Sequence, residues 1–422
     1  MSAMGSIQRH SAALQARIEQ HTMDLFETTP VQKARRKGEQ ALLASIPDAD
    51  EASRGRFVDI ATETTLNALI GLADAYTGED LPRLIMRTPR SVGGRVVPGN
   101  RGLHDNPDTF YRIVPLDGQS DFILEGQATS NPATIFELSA LTAQWHTLGH
   151  LTKSDLRIRP GSQFRIHFGA KPGPEVDHFI EISPDAEMLL IRETLAEWAV
   201  QRPSRLTIEN RVDRGGPRER DDDAKIDAAA ARVDKWFHEA IRLTAVPLSQ
   251  PANHFPDPVI SGEHGKLVTM AYSIGHFWVR PGEALVLTLE PGSAEYVGVP
   301  ITNLWGTTNP GLARNASWNS KQAALNTDGS FTCVLALEDP GVHNWLDPEG
   351  LHRGFLFLRW AGLDPARVLG RVPALTTRLI SASKLRGTLS AETRWVDPSE
   401  REHIQSERER DHAKRFEEFI DE

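Results

Sequence analysis

The spacing of apolar positions divides the chain into a helical start, two β-rich blocks and a charged end. From residue 8 to 45, Ala13, Ile18, Leu25, Leu42 and Leu43 lie scattered among charges, with a break at Thr29-Pro30. This predicts a helical arm with a thin apolar face, one that packs on another subunit or frays. Between 55 and 76 the pattern sharpens. Phe57, Ile60, Ala61, Thr65, Leu66, Leu69, Ile70 and Leu72 recur at three and four, which predicts a helix burying one stripe and ended by Thr77-Gly78. From Arg87 to Asn106 the period vanishes among Gly, Pro and Arg, so a loop is expected. Its arginines 87, 90, 95 and 101, with Arg112 just beyond, offer charge to an anion, or a solvated connector.

Short runs separated by turn residues then predict strands at 110–114, 121–126, 134–139, 163–168 and 178–182, with turns such as Asp117-Gly118 and Pro160-Gly161. Such spacing suits an antiparallel meander or sandwich. Ser183-Pro184-Asp185 looks like a helix start, and Met188, Ile191, Leu195 and Trp198 supply one apolar face, so a helix is predicted over 185–200. A short strand follows at 206–208. The stretch 211–225 is charged and broken by Gly-Gly-Pro, which reads as a surface loop and a unit boundary. Ile226, Ala230, Val233, Phe237 and Ile241 mark a second amphipathic helix over 226–243. A loop is expected at 249–265. The second β block spans about 267–380, with strands at 284–289, 296–304, 331–337 and 355–360. The tail from Asp397 is mostly charge and reads as a surface helix or disorder.

The expected fold class is α+β: antiparallel β-sandwich units, packed amphipathic helices, and helical N- and C-terminal segments. The expected units are 1–100 (helical arm and linker), 101–210 (first β unit), 211–266 (charged loop and helix), 267–395 (second β unit) and 396–422 (charged tail).

Composition narrows the function. With 422 residues the chain exceeds one core, which supports several packed units. A net charge of -10 argues against a nucleic-acid role, which needs a basic face. The single cysteine, Cys333, excludes a disulfide framework within the chain and reads as a small buried hydrophobe. No apolar run approaches the ~18 residues of a membrane span, and the N-terminus lacks the apolar core of a secretory signal. A cytoplasmic location is therefore expected.

Three stretches carry a family resemblance. The first is His104-Asp105-Asn106-Pro107-Asp108-Thr109-Phe110-Tyr111-Arg112, followed by Leu116-Asp117-Gly118 and Leu124-Glu125-Gly126. The second is Leu190-Ile191-Arg192-Glu193 through Trp198, then Leu206-Thr207-Ile208-Glu209. The third is Asn326-Thr327-Asp328-Gly329-Ser330, then Asn344-Trp345-Leu346, and Gly354 to Arg359. In this order, across roughly residues 100 to 362, they resemble the family called domain of unknown function 1214. The resemblance implies paired β-sandwich layers with added helices. Many relatives carry another uncharacterised domain and a signal peptide ahead of this one; the helical N-terminus here departs on both points. The family has no settled activity to transfer.

Phosphate-loop, dinucleotide and nucleophile-elbow motifs are all missing. His146 and His150 are four apart, but Gly149 disfavours a helix between them and no carboxylate intervenes; His167 and His178 could meet across a hairpin. No histidine or carboxylate set has convincing metal spacing, so neither metal nor cofactor is expected. The better candidate is the loop between the strands 331–337 and 355–360. It is braced by Asp339-Pro340-Gly341 and Asp347-Pro348-Glu349-Gly350. His343 suits proton transfer, Asp347 would orient it, and Arg359 would neutralise Asp347 or a ligand anion, making these three the catalytic candidates. Asn344 and Trp345, with Tyr296, Asn303 and Trp305, offer hydrogen bonds and aromatic walls for binding. The competing reading makes all of them structural. The leading function is a cofactor-independent hydrolase, hydratase or isomerase acting on an apolar oxygenated small molecule such as a steroid, terpenoid or aromatic. A carbohydrate-active or carbohydrate-binding sandwich and a non-catalytic ligand-binding or scaffold protein are the alternatives. A small-molecule ligand is the expected partner, without nucleic acid or membrane, and homo-oligomers are an open expectation.

Overall fold

Strands built from alternating core and outer positions dominate the chain, and each β block closes on itself. The structure, a computed structural model, describes residues 7–9, 12–72, 83–85, 89–116, 118–142, 145–173, 176–211, 222–260, 269–309, 315–363 and 373–416. Thr77-Gly78, Arg87, Asp117, most of the 211–225 loop and part of the 249–265 loop lie outside them.

The early strands are β1 (Ile7–Arg9), β2 (Arg83–Leu84), β3 (Arg90–Val92) and β4 (Arg95–Val97). The first block holds β5 (Thr109–Pro115), β6 (Phe122–Gln127), β7 (Ile135–Thr142), β8 (Thr147–Thr152), β9 (Gln163–Gly169), β10 (His178–Glu181), β11 (Ala186–Thr194) and β12 (Arg205–Asn210). One sheet runs β1-β12-β6-β9-β10, the other β2-β5-β11-β7-β8, and β3 pairs with β4 alone. Between the two larger sheets lies a core that includes Val114, Phe122, Leu124, Phe136, Leu138, Phe164, Phe168, Leu189 and Ile191. The second block holds β13 (Val259–Ile260), β14 (Met270–Trp278), β15 (Glu283–Glu290), β16 (Tyr296–Thr302), β17 (Ser317–Asn319), β18 (Phe331–Leu335), β19 (Trp345–Leu346), β20 (Arg353–Ala361) and β21 (Ala374–Ser381). Its sheets, β13-β14-β20-β16-β17 and β19-β18-β15-β21, enclose Phe277, Leu285, Leu287, Trp318, Cys333, Leu356, Leu358 and Trp360. Pairing is antiparallel except at β9–β10 and β18–β19.

Helices from the start and the middle of the chain form a third layer, and two further helices follow β21. They are α1 (Ala12–Phe26), α2 (Thr29–Ser45), α3 (Glu51–Gly55), α4 (Phe57–Ile70), α5 (Asp222–Leu248), α6 (Leu385–Thr388) and α7 (Pro398–Lys414). The thin-faced arm does not fray: Leu25, Val31 and Leu42 pack with Phe57, Leu69, Val233 and Phe237 of the same chain. Close approach of α2 to α5 requires Gly38, where a Cβ would stand 2.4 Å from the Phe237 ring. The arm also adds edge strands β1 and β2 to the first sandwich, so it is not purely helical.

One expectation is corrected and one is sharpened. Residues Ala186–Thr194 form strand β11, not a helix. Both its faces are covered, so apolar residues fall on each, and such a buried run mimics a helical period. The charged tail forms a helix where described; most of its residues are exposed, as a surface helix requires, but one face is buried. Helix α7 has an Asp397–Glu400 capping box and Pro398 at its start. Its Arg401, Arg408 and His412, and Arg415 just beyond, are buried. Arg408 lies between the Trp198 and Trp318 rings, 4.6 and 4.8 Å from their centres, and donates to the Ser317 carbonyl and Gln322. Trp198 belongs to the first block and Trp318 to the second, so α7 straps the two together.

Candidate functional site

The outer face of the sheet β2-β5-β11-β7-β8 meets the outer face of β13-β14-β20-β16-β17 along a buried seam, bridged by the Thr269–Glu137 hydrogen bond. Register defines the first wall. Glu137 on β7 stands opposite Arg192 on β11, and Arg192 opposite Tyr111 on β5. Ser139 stands opposite Leu190 and His150 on its two sides. Because side chains alternate with period two, these residues share one face. Ile113, Leu141, Met188 and Leu190 give that face an apolar floor, with Trp145 and Tyr111 packed on it. On the facing wall, Tyr272 pairs with Arg359 and Met270 with Ala361. Ile135 joins the walls by packing with Met270 and Tyr296. Two residues packed on these faces, His104 and Trp145, hold left-handed backbone at φ 49° and 64°, a strain that recurs at functional sites.

Glu137 is the chemically unusual group. It is 1% exposed, and burial raises its carboxyl to about 7, opposed by a hydrogen bond from Thr269 and by the charge of Arg192. The Thr269 hydroxyl donates to Oε1. Oε2 is shielded from solvent and has no hydrogen-bond partner among the described residues. The same holds for Nε2 of His150. Burial and the Arg192 charge keep that imidazole below its usual range, hence neutral. An unpaired buried polar atom costs about 1–3 kcal/mol, so two on one face need a reason.

The eight residues singled out in the sequence do not converge. His343, Asn344, Trp345 and Asp347 lie in the loop and short strand beside β18, with the first three beneath α7. Asn344 is consumed structurally: it donates to the Ala324 and Thr332 carbonyls and accepts from the Ala324 N–H. Nδ1 of His343 lies 2.9 Å from the Asn344 side-chain oxygen, its ring lies against Trp318, and burial holds it below the usual imidazole range. Trp345 donates to the Ala336 carbonyl, and Asp347 accepts from the Glu349 N–H in a turn. Asn303 closes a turn with Trp305 and Thr307, while the Trp305 ring is buried in the helical layer and donates to the Ser53 carbonyl. Arg359 does not reach Asp347 in any ion pair shown. It donates to the His104 and Phe357 carbonyls and covers the Phe357 ring at 4.3 Å. Tyr296 donates to Asp108, which also accepts from Trp198 and Asn319. Only Tyr296 and Arg359 of the eight belong to the side of their sheet that faces the first block.

Other sequence candidates resolve simply. His146 and His150 flank a strand start, not a helical turn, and β9 and β10 are parallel, so His167 and His178 do not meet across a hairpin. Both His167 nitrogens are occupied, by Asp121 and the Gly173 N–H. Arginines 90, 95, 101 and 112 pair with carboxylates Glu19, Asp24 with Glu27, Glu63, and Glu193. A depression of about 440 Å³ lies on the outer face of the other sheet of the second block, lined by Thr288, Asp328, Arg378 and Glu392 among others. Its carboxylates already accept from Ser330 and Thr327. Among the described residues no group of three or more His, Cys, Asp or Glu could hold a metal ion, and no helix is long and apolar enough to cross a membrane.

Glu137, Ser139 and His150 do not stand out as a set in the sequence, because only the β7–β8 pairing brings His150 opposite Ser139. The alternation Phe136, Leu138, Ala140 against Glu137, Ser139 was the signal present.

No family model matches the chain, and no curated protein does. An uncharacterised protein from Burkholderia cenocepacia has a similar structure, with TM-score 0.70 at 20% identity, covering 88% of this chain and 100% of that one. A protein from Vibrio parahaemolyticus aligns with TM-score 0.41 at 13% identity, over 65% of this chain and 90% of that one. The Burkholderia likeness establishes a shared fold and nothing about activity.

Proposed function

We propose that the seam between the sandwiches opens as a groove that serves as an acid–base site for an apolar small molecule bearing a carbonyl or hydroxyl oxygen, and that the protein is a cofactor-independent enzyme of the isomerase or hydratase type. The observation that carries this reading is the buried Glu137 carboxyl, with one oxygen unpartnered, on the same face as the unpartnered His150 nitrogen. A carboxyl poised near neutral pH can give a proton in one step and take it back in another. In this reading Glu137 donates from Oε2 to the substrate oxygen while His150 Nε2 accepts a proton from the substrate. In an isomerisation, collapse to product returns both protons; in a hydration, His150 instead takes the proton from an added water whose oxygen bonds to the substrate, and neither step needs an oxidant or reductant. The apolar floor of Ile113, Leu141, Met188 and Leu190 holds the hydrocarbon part. A ligand enters past the half-buried rings of Tyr111, Trp145 and Tyr272. Kinship with domain of unknown function 1214 belongs to the same proposal and rests on the ordered stretches alone.

Thermal-shift screening of the whole chain against oxygenated lipophiles and sugars tests the reading. Saturation at about 100-fold over Kd adds about 3 kcal/mol of stability. Lipophile hits that are turned over, with Glu137→Gln slowing turnover by about 10²–10⁴-fold, support it. Sugar hits alone, or turnover indifferent to Glu137→Gln, overturn it.

A further inference from the structure

Thr269 belongs to the second β unit, immediately before β14, yet its hydroxyl reaches across to Oε1 of Glu137 in the first. Its backbone is fixed, because the Leu363 N–H donates to its carbonyl at 3.0 Å just past β20. Oε2 finds no partner among the described residues. A protonated carboxyl has one carbonyl oxygen and one hydroxyl oxygen, and an oxygen that accepts a strong hydrogen bond is favoured as the carbonyl. We propose that Thr269 is a positioning residue: by donating to Oε1 it fixes the acidic proton of Glu137 on Oε2. The proposal rests on the acid–base reading of the groove and adds that neither sandwich makes a competent acid alone. One supplies the carboxyl, and the other selects which oxygen carries the proton.

The charged and titratable groups around Glu137 are Arg192 on β11, His150 on β8, Tyr111 on β5, and Tyr272 and Arg359 on the facing wall. Among these, Arg192 favours the ionised carboxyl, as does the Thr269 hydroxyl. Removing the hydroxyl therefore raises the midpoint of Glu137 and leaves the proton free to sit on either oxygen.

The test is infrared titration of the full chain, taking the carboxyl band that vanishes in Glu137→Gln. Thr269→Val, close in shape, should raise the titration midpoint and move the protonated C=O band to higher frequency. Thr269→Ser, which restores the hydroxyl, should return both. A band assigned to Glu137 that is unmoved in Thr269→Val, or a midpoint that falls, overturns the role of Thr269 and leaves the acid itself standing. Absence of any carboxyl band titrating near neutrality and lost in Glu137→Gln overturns both.

Discussion

At the scale of the residue, Glu137 and Asn344 show two uses of a buried polar side chain. Asn344 spends its amide on backbone groups that would otherwise be orphaned. Asn344→Ala should cost about 2–4 kcal/mol, summed over hydrogen bonds lost to buried groups, and leave ligand response in the groove unchanged. Chemical denaturation with thermal-shift screening measures both. Glu137 keeps one oxygen unspent, and its stability cost depends on pH. Its folded midpoint, about 7, lies above the ordinary 4.5. Between those values the folded form holds a proton that the unfolded chain has released. Stability therefore falls as pH rises across that window and levels off above it, by about 3 kcal/mol in full. Urea unfolding between about pH 5 and pH 8 should show this fall in the wild type and its loss in Glu137→Gln. His343 offered the more legible signal, a titratable ring in a loop braced by turns. The sequence could not reveal that Trp318 and α7 would cover it, because those contacts join positions far apart in the chain.

At the scale of the element, β11 and α7 mark where local pattern stops being informative. Helices α4 and α5 were legible in their apolar spacing, although α4 buries nearly all of its surface rather than one stripe. β11 was not, because the core covers one face and the seam with the second block the other, leaving no polar row to reveal the period. α7 was legible only in part, for the opposite reason: its arginines look solvated, yet Arg401 donates to the Val342 and His343 carbonyls and Arg408 fills the gap between two tryptophans. Burial pushes Arg408 down to about 10, still charged at neutral pH. Arg408→Ala should destabilise by about 3–5 kcal/mol, because it leaves the Ser317 carbonyl without this donor and opens a cavity between the rings. Asp397→Ala, which removes only the cap, should cost about 1 kcal/mol. The ratio of the two, read from denaturation midpoints, distinguishes a clamped helix from a surface one.

At the scale of the whole molecule, the two sandwiches are coupled by buried polar links as well as apolar ones. Tyr296 with Asp108, Thr269 with Glu137, and Arg359 with the His104 carbonyl each cross from the second block to the first. Unfolding followed by backbone and by tryptophan signals should therefore give one coincident transition. Tyr296→Phe, which strips Asp108 of one donor, should cost about 1–3 kcal/mol and is the variant that would pull the two signals apart. The sandwiches themselves were legible in alternating strand runs; their mutual docking was not, because it joins positions far apart in the chain, such as Glu137 with Thr269 and His104 with Arg359. The strap α7 has a further consequence during synthesis. It leaves the ribosome after both sandwiches, so Trp198 and Trp318 face an unfinished seam until the helix arrives. The nascent chain passes through an interval in which these two rings await Arg408 and Arg415, still being translated, and proteolysis of the helix would leave them uncovered.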